Sequence, residues 1–400
     1  MTNLHGKRIV LGITGGIAAY KSATIASRLV QSGAMVDVVL TESARKFITP
    51  LTFQSLTHRR VFTNIFDIPP AENIPHIELS HQIDLLLIAP ATANTIAKMA
   101  HGQADNLLTA IALATDKPIL IAPAMETDMW EHPATRRNIA TLAEWGVAQV
   151  GPAAGRLASG RMGRGRMAEP DEIVDAARQV LAKNGDMAGM RVVVTAGGTR
   201  EPIDPVRYIT NRSSGKMGHA LAEVARDRGA QVTLVTTAGL PAPSGVSVVR
   251  VNTAAEMADA VLAAIPESDA LVMAAAVADY RPAEIAPQKI KKGDGGLTLS
   301  LVRTPDILQL VAKYRAETGF PRKVVGFAAE TTDVRRNAQE KLARKRLDWI
   351  AANDVSRTDA GFGVETNQVT LFGADGSVVE LPLMSKMAVA AEIWNRVAGK

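Results

Sequence analysis

The sequence predicts an α/β protein made of two doubly wound, Rossmann-like domains in series. Three observations carry this reading. Apolar runs of strand length alternate with longer amphipathic stretches, the alternation restarts near mid-chain, and both series open on a strand followed by threonine and paired glycines.

In the first half, RIVLGIT (8–14), MVDVVL (35–40), DLLLIAP (84–90) and PILIAPA (118–124) read as parallel strands buried on both faces, because their apolar residues are continuous rather than alternating. Helical periods near 17–32, 92–100, 106–115 and 133–145 lie between them. The polar NGDMAG (184–189) reads as a linker, so the expected domains are 1–188 and 189–400. The pattern restarts with MRVVVTAGGT (190–199) and continues through QVTLVTT (231–237), ALVMAAA (270–276), KVVGFAA (323–329) and WIAAND (349–354). The closing VTLFGADGSVVEL places Asp375-Gly376 between alternating apolar residues, a hairpin signal. The halves are alike in architecture and are not a sequence repeat.

A chain of 400 residues, 47% hydrophobic and 21% charged, has material for two cores. It has no cysteine, which excludes disulfides, a thiolate nucleophile and cysteine metal sites. The net charge of +5 favours acidic ligands, but only 4% of residues are aromatic and the cations are dispersed, so phosphorylated small molecules are expected rather than nucleic acid. No apolar run reaches membrane-spanning length and the start MTNLHGKR lacks the apolar core of a signal peptide, so a cytoplasmic protein without a membrane partner is expected.

Ligands of doubly wound sheets bind beyond the carboxyl ends of the strands. Neither glycine motif there is G-x-G-x-x-G, which speaks against a two-domain NAD(P)-dependent reductase. The segment TNRSSGKMG (210–218) puts small hydroxyl residues and glycines at a helix start, where unpaired backbone N–H groups favour an anion.

TGGIAAYK, APATANTIAK, PAM followed by MW, and GRMAEP in the first half, with TAGGTREPIDPVR, NRSSGKMG, AAVADYRP, KIKK, TPDI and GFAAET in the second, occur in one order over nearly the whole chain. In these motifs the sequence resembles the bifunctional phosphopantothenoylcysteine decarboxylase / phosphopantothenate-cysteine ligase family of coenzyme A biosynthesis. The resemblance implies a flavodoxin-like FMN-binding flavoprotein domain, followed by a ligase domain with a parallel sheet and a C-terminal hairpin.

For the first domain it implies FMN contacts at Thr14, Gly15, Gly16 and Ile17, at Thr41 and Ser43, at Thr92, Ala93 and Asn94, and at Ala124 and Met125. Taken without the family, Thr92 or Asn94 reads as a helix cap. His76, in IPHIELS, matches the family histidine implicated in decarboxylation, and imidazole suits proton exchange near neutral pH; His81 and His101 have no such match. In the family reaction the cysteinyl thiol is oxidised, carbon dioxide leaves to give an enethiol, and reduced flavin restores the saturated thiol.

Two residues depart from the family pattern. Glu126 stands where many relatives have Asn in PAMN, and an ionised carboxylate there repels the substrate carboxylate that an amide would hold. Ser159 stands where they have the cysteine of a glycine-rich clamp, the family's proton donor in the final reduction. Met129, Trp130, Arg161, Arg164 and Arg166 keep the surrounding frame, the arginines as candidate phosphate holders. Both departures belong among the candidate catalytic residues, and they leave open a ligase whose flavin-binding half is a non-catalytic scaffold.

For the second domain the resemblance implies phosphopantothenate binding by Asn211, Ser213, Ser214, Gly215 and Lys216, with Asn211 also touching the activated acyl group. It implies CTP contacts at Met273, Ala274, Ala275, Asp279, Thr304, Pro305, Asp306, Ile307, Phe327, Lys341 and Lys345, and places Lys289 at CTP as transition-state stabiliser, with Lys291 and Lys292 nearby. The substrates implied are phosphopantothenate, CTP, cysteine and phosphopantothenoylcysteine. Mg2+ is expected with the triphosphate, through ligands the sequence does not identify. A homo-oligomer is implied too, with trimeric flavodomains and dimeric ligase domains.

Overall fold

The computed structural model describes residues 4–66, 75–292, 296–330, 333–354 and 363–399. Ile74 of IPHIELS and Thr331 of GFAAET lie outside them. The chain divides into two compact units, Met1–Lys183 and Asn184–Lys400.

The first unit is built on a six-stranded sheet. Its strands are β1 (Arg8–Ile13), β2 (Met35–Leu40), β3 (Val61–Phe62), β4 (Leu85–Ala91), β5 (Ile119–Pro123) and β6 (Ala148–Gln149). They are parallel throughout and lie in the order β3-β2-β1-β4-β5-β6. Helices α1 (Ala19–Gln31), α2 (Pro50–Thr57), α3 (Pro75–His81), α4 (Ala93–Ala100), α5 (Leu107–Ala114), α6 (Thr127–Glu131), α7 (Pro133–Glu144) and α8 (Pro170–Ala182) complete it. An antiparallel hairpin, β7 (Ala153–Arg156) with β8 (Met162–Arg166), precedes α8.

The continuous apolar strands are explained by the layers. Ile9, Leu11 and Ile13 of β1 face one core while Val10 faces another, and in β4 Leu85, Leu87 and Ala89 are likewise split from Leu86 and Ile88. A strand covered by helices on both sides has no solvent face, so alternation disappears.

In the second unit the strands are β9 (Arg191–Ala196), β10 (Arg200–Pro202), β11 (Tyr208–Thr210), β12 (Gln231–Thr236), β13 (Ser247–Arg250), β14 (Ala270–Met273), β15 (Tyr280–Pro282), β16 (Leu301–Arg303), β17 (Lys323–Glu330), β18 (Trp349–Asp354), β19 (Thr366–Asn367), β20 (Val369–Gly373), β21 (Val378–Glu380) and β22 (Met384–Ser385). Its helices are α9 (Lys216–Asp227), α10 (Ala254–Ala264), α11 (Ile307–Thr318), α12 (Val334–Arg344) and α13 (Lys386–Val397). Eight strands form the main sheet, in the order β13-β12-β9-β14-β17-β18-β20-β21. The first six are parallel; β20 and β21 add the antiparallel hairpin expected at Asp375-Gly376, where Gly376 has φ 87° and Asp375 accepts the Ser377 amide at 3.0 Å. The C-terminal helix α13 packs on α9, burying Trp394, whose indole N–H donates to the Leu221 carbonyl at 2.9 Å.

Numbered within each unit, the parallel strands follow one order, 3-2-1-4-5-6. The winding direction therefore reverses between β1 and β4 in the first unit and between β9 and β14 in the second. A crevice opens at such a switch point because neighbouring connections leave on opposite faces of the sheet.

One expected strand is shorter than predicted: ALVMAAA leaves the sheet after Met273. The Ala275 amide donates to Thr195 Oγ1 at 3.0 Å and the Ala276 amide to the Gly197 carbonyl at 2.8 Å, so these alanines cross towards the end of β9. Among the described residues no helix is long and apolar enough to cross a membrane.

Candidate active sites

In the first unit the loops after β1, β2, β4 and β5 meet at the switch point. Thr14 is buried, donating its hydroxyl to the Pro90 carbonyl at 2.7 Å and accepting the Thr92 amide at 3.1 Å. That hydroxyl joins the tips of β1 and β4 and is used within the fold. Thr41 ties its own loop back, accepting the Ala44 amide and contacting the Ile13 carbonyl, both at 3.3 Å. Thr92 caps α4, accepting the Thr95 amide at 3.5 Å, so the capping reading holds for it. Asn94 and Ile17 are exposed at the same tips, Ile17 at 62%. The Ala124 amide donates to the Ala91 carbonyl at 3.0 Å, which brings the Ala124–Glu126 segment alongside.

The β7–β8 hairpin lies across that segment. The Met125 amide donates to the Gly165 carbonyl at 2.9 Å, and a side chain at Gly165 would meet the Met125 carbonyl oxygen at 2.2 Å, so only glycine allows this approach. Glu126 and Ser159, 33 residues apart, are in direct contact: Ser159 Oγ donates to Glu126 Oε2 at 3.0 Å. Arg161 grips Asp128 through two bonds of 2.5 and 3.3 Å. Arg164 donates to the Pro152 carbonyl and sits 5.8 Å from the Trp130 ring, and Arg166 bonds Glu169 at 2.5 Å. The three arginines read as candidate phosphate holders thus have partners inside the fold.

His76 is the second residue of α3, the helix leading into β4, and Glu78 two residues further on lies 3.5 Å from Arg8 at the start of β1. The His76 Nδ1 is buried without a hydrogen-bond partner among the described residues, as are Thr127 Oγ1 and Trp130 Nε1. Buried polar atoms left unpaired are costly and mark where a ligand would complete the bonding. Thr127 was not singled out in the sequence, because a threonine beginning a short helix has no pattern of its own. The buried Lys21 of TGGIAAYK meets Glu169 of GRMAEP, with Nζ 3.0 Å from both carboxylate oxygens. The Lys21 hydrogen bond and charge hold the Glu169 carboxyl below its ordinary range.

The second unit has a cavity of about 1100 Å³ at its own switch point. Asn211, Ser213, Ser214, Gly215 and Lys216 line one wall; Met273, Ala274, Ala275, Asp279, Thr304, Pro305, Asp306, Ile307, Phe327, Lys341 and Lys345 line the rest. The structure thus brings together every predicted residue of this domain except Lys289, which is exposed and does not line the cavity. Asn211 reaches from the loop before α9 to the tip after β14, its Nδ2 donating to the Ala276 and Val277 carbonyls at 3.4 and 3.2 Å. Gly218 lets α9 start hard against β9, since a methyl there would fall 2.6 Å from the Thr195 carbonyl oxygen.

Among the described residues the lining is cationic: Arg212, Lys216, Arg303, Lys341, Arg344, Lys345 and Lys386 line it with two acids, Asp279 and Asp306. Several of these charges are engaged. Lys216 bonds the Gly363 carbonyl at 3.0 Å and pairs with Glu365, Lys341 donates to the Phe327 carbonyl at 2.8 Å, and Lys345 pairs with Asp306. Asp306 also caps α11 through the Gln309 amide at 3.2 Å. Lys386, Asn353 and Asn367 line the cavity and were not read from the sequence; Lys386 is buried, and desolvation lowers its pKa.

Among the described residues no group of three histidine or acidic side chains converges on a metal position. Asp279 and Asp306, the acids described at the second unit's cavity, are carboxylates of the kind Mg2+ takes alongside phosphate and water. The first unit's glycine loops and unpaired buried polar atoms do fit a phosphorylated aromatic cofactor.

The family model "Flavoprotein" matches residues 1–182, and that of the DNA/pantothenate metabolism flavoprotein C-terminal domain matches 187–400. The coenzyme A biosynthesis bifunctional protein CoaBC of Bacillus subtilis (strain 168) is 46% identical over 399 residues, covering 99% of this chain and 97% of that protein. This chain belongs to the CoaBC family. Its flavodoxin-like first domain is a flavoprotein domain. CoaBC of Vibrio cholerae serotype O1 is 48% identical over 400 residues, with 99% of each chain covered. Among solved structures, the C-terminal domain of a CoaBC protein is 40% identical, covering 54% of this chain and 97% of that one with a TM-score of 0.46.

Proposed function

We propose that the chain catalyses two consecutive steps of coenzyme A biosynthesis, ligation of phosphopantothenate with cysteine by residues 189–400 and decarboxylation of the product by residues 1–188. The observation that carries this is the cationic cavity at the second switch point, with Asn211 bridging its two walls.

In the ligase the carboxylate of phosphopantothenate attacks the α-phosphate of CTP, giving an acyl-cytidylate and pyrophosphate, and the cysteine amine then displaces CMP. Both reactants are anionic, so the first need is charge neutralisation, which the lysines and arginines of the lining supply together with Mg2+ carried by the triphosphate. Ser213, Ser214 and the backbone at Gly215 and Lys216 cradle the phosphopantothenate phosphate at the start of α9. Asn211 positions the acyl group, Asp279, Lys341 and Lys345 hold CTP, and Lys289 reaches the transition state when its segment closes on bound nucleotide.

In the decarboxylase FMN, when bound, is the electron sink that takes up and returns the substrate's electrons. The loops at Gly15, Gly16, Ser43, Ala93 and Asn94 bind it, His76 exchanges the thiol proton through its imidazole, and the β7–β8 hairpin excludes water. The repulsion between Glu126 and a substrate carboxylate favours a second reading, a ligase with a non-catalytic flavin scaffold. We further place the protein in the cytoplasm as a homo-oligomer of trimeric flavodomains and dimeric ligase domains.

The test supplies purified full-length protein with phosphopantothenate, CTP, cysteine and Mg2+. Pyrophosphate and phosphopantothenoylcysteine followed by carbon dioxide and phosphopantetheine are expected. No pyrophosphate overturns the ligase, and retained flavin without carbon dioxide leaves the scaffold reading.

A further inference from the structure

The wall of the second unit's cavity beside the start of α9 carries two buried polar side chains that the ligase reading leaves without a role. Lys386 and Asn367 line the cavity and are 5% and 2% exposed. Lys386 is the first residue of α13, and its ammonium donates to the Val364 and Thr366 carbonyls. Asn367 lies in β19. Among the described residues its side chain has one hydrogen bond, from the Gln368 amide to Oδ1 at 3.1 Å, which leaves the Nδ2 donors to the cavity.

Lys216 reaches the same stretch of chain from α9, bonding the Gly363 carbonyl at 3.0 Å and pairing with Glu365. The Lys386 amide donates to the Glu365 carbonyl at 3.0 Å, so segment 363–367 ties both lysines to one wall.

A charged lysine is unfavourable in this place for three reasons. Burial disfavours an ammonium, a helix start repels a cation, and Lys216 is a like charge nearby. Burial lowers the Lys386 pKa, the charge of Glu365 opposes this and that of Lys216 adds to it. Glu365 neutralises little, since its side chain is 80% exposed and paired with Lys216, and water screens such pairs. The Val364 and Thr366 carbonyls require a donor rather than a charge, and a neutral amide would serve them. The charge itself therefore points to a ligand.

We propose that Lys386 and Asn367, together with Lys216, bind a phosphate group of a ligase reactant, as a second side to the cradle at the start of α9. The proposal rests on the ligase reading above and adds the residues that tell a phosphorylated substrate from its unphosphorylated counterpart. A phosphate monoester carries about two negative charges near neutral pH and three strong acceptor oxygens. Ser213, Ser214 and the first amides of α9 give directional bonds but no full charge. Lys386 supplies charge and Asn367 a donor shielded from water. Once the anion is in place, the burial that disfavours Lys386 in the free chain strengthens its attraction to the ligand, and Lys216 exchanges Glu365 for the phosphate. Two groups have this chemistry: the phosphate of phosphopantothenate, and the two CTP phosphates that leave as pyrophosphate.

The test uses full-length protein and measures binding by calorimetry, without turnover, for phosphopantothenate, pantothenate and inorganic pyrophosphate in turn. Lys386→Gln keeps a donor for the two carbonyls and removes the charge. It is expected to bind one of the phosphate probes about 10-fold more weakly, the lower end for a hydrogen bond to a charged group, and pantothenate as wild type does. Asn367→Asp keeps the acceptor for Gln368, removes the donors and is expected to weaken the same probe. Whichever probe loses affinity identifies the source of the phosphate.

A purely structural Lys386 would instead weaken all three probes together. That result, or wild-type affinity for both phosphate probes in the two variants, overturns the proposal. Selective loss of phosphate binding, in a chain whose wild type forms no pyrophosphate from CTP, keeps the site and overturns the ligase reading.

Discussion

The Asp204 carboxylate accepts the backbone N–H of Ile290 at 3.2 Å, fastening the segment that carries Lys289 to the turn after β10. Asp204 is buried and also accepts the amides of Val206 and Arg207, both at 2.8 Å, while the Arg207 guanidinium bonds it and the Ile290 carbonyl. The exposed Lys289 is thus attached at its next residue to a fixed point within its own domain.

Asp204→Asn is therefore expected to loosen the Lys289 segment without unfolding the sheet. The ligase kcat should drop about 10-fold, as for loss of a positioning contact, with little change in the affinity for phosphopantothenate. Pyrophosphate release under single-turnover conditions measures it.

The Arg207 hydrogen bond holds the Asp204 carboxyl well below the usual carboxylate range. A depressed folded-state pKa stabilises the fold above the unfolded value of about 3.9 and loses that contribution as pH falls through the folded one. The ligase domain is expected to keep this contribution throughout the neutral and mildly acidic range and lose it only in strong acid. Acid titration of wild type against Asp204→Asn, followed by near-UV circular dichroism, shows the difference.

Lys21 is buried and Glu169 about half exposed, so their bond joins the first turn of α1 to the start of α8 with one partner still in water. Glu169→Gln should cost about 1 kcal/mol, because the exposed side limits the gain from such pairs, and lower the thermal midpoint of the flavoprotein domain. Since Lys21 lowers the Glu169 pKa, the difference between variant and wild type should begin to shrink as pH falls below the ordinary glutamate value of about 4.3 and vanish only as it passes through the lower folded-state value. Scanning calorimetry at two pH values reads both.

Asn211→Ala removes both bonds to the Ala276 and Val277 carbonyls and with them the bridge across the cavity. Acyl-cytidylate formation is expected to slow about 100-fold, the size seen when one preorganised donor is deleted. Pyrophosphate exchange checks this, and unchanged exchange would remove Asn211 from the site.

Gly218→Ala forces α9 away from the Thr195 carbonyl oxygen, a backbone atom that cannot rotate aside. The expected loss is about 1–3 kcal/mol, read from urea unfolding of the full chain.

The architecture was legible because it is written in local periodicity. β1, β2, β4, β5, β9, β12, β17 and β18 correspond to apolar runs, since helices on both faces leave such strands no polar side. The closing hairpin was legible from Asp375-Gly376, and the small residues after β1, β4, β9 and β14 mark strand ends where a backbone must come close to something. The two-residue edge strands β3 and β6 are too short to show a period. β7 and β8, rich in glycine and arginine, read as a loop because their partner is another segment rather than a core.

What the chain's order of residues could establish was the strand sequence, the restart at 190 and the chemistry available at each strand tip. The meeting of Glu126 with Ser159, of Lys21 with Glu169, of Lys345 with Asp306 and of Asp204 with Ile290 was settled by the folded arrangement. Each such bond joins residues dozens of positions apart. Its energy depends on distance in space, which leaves no mark on the spacing along the chain.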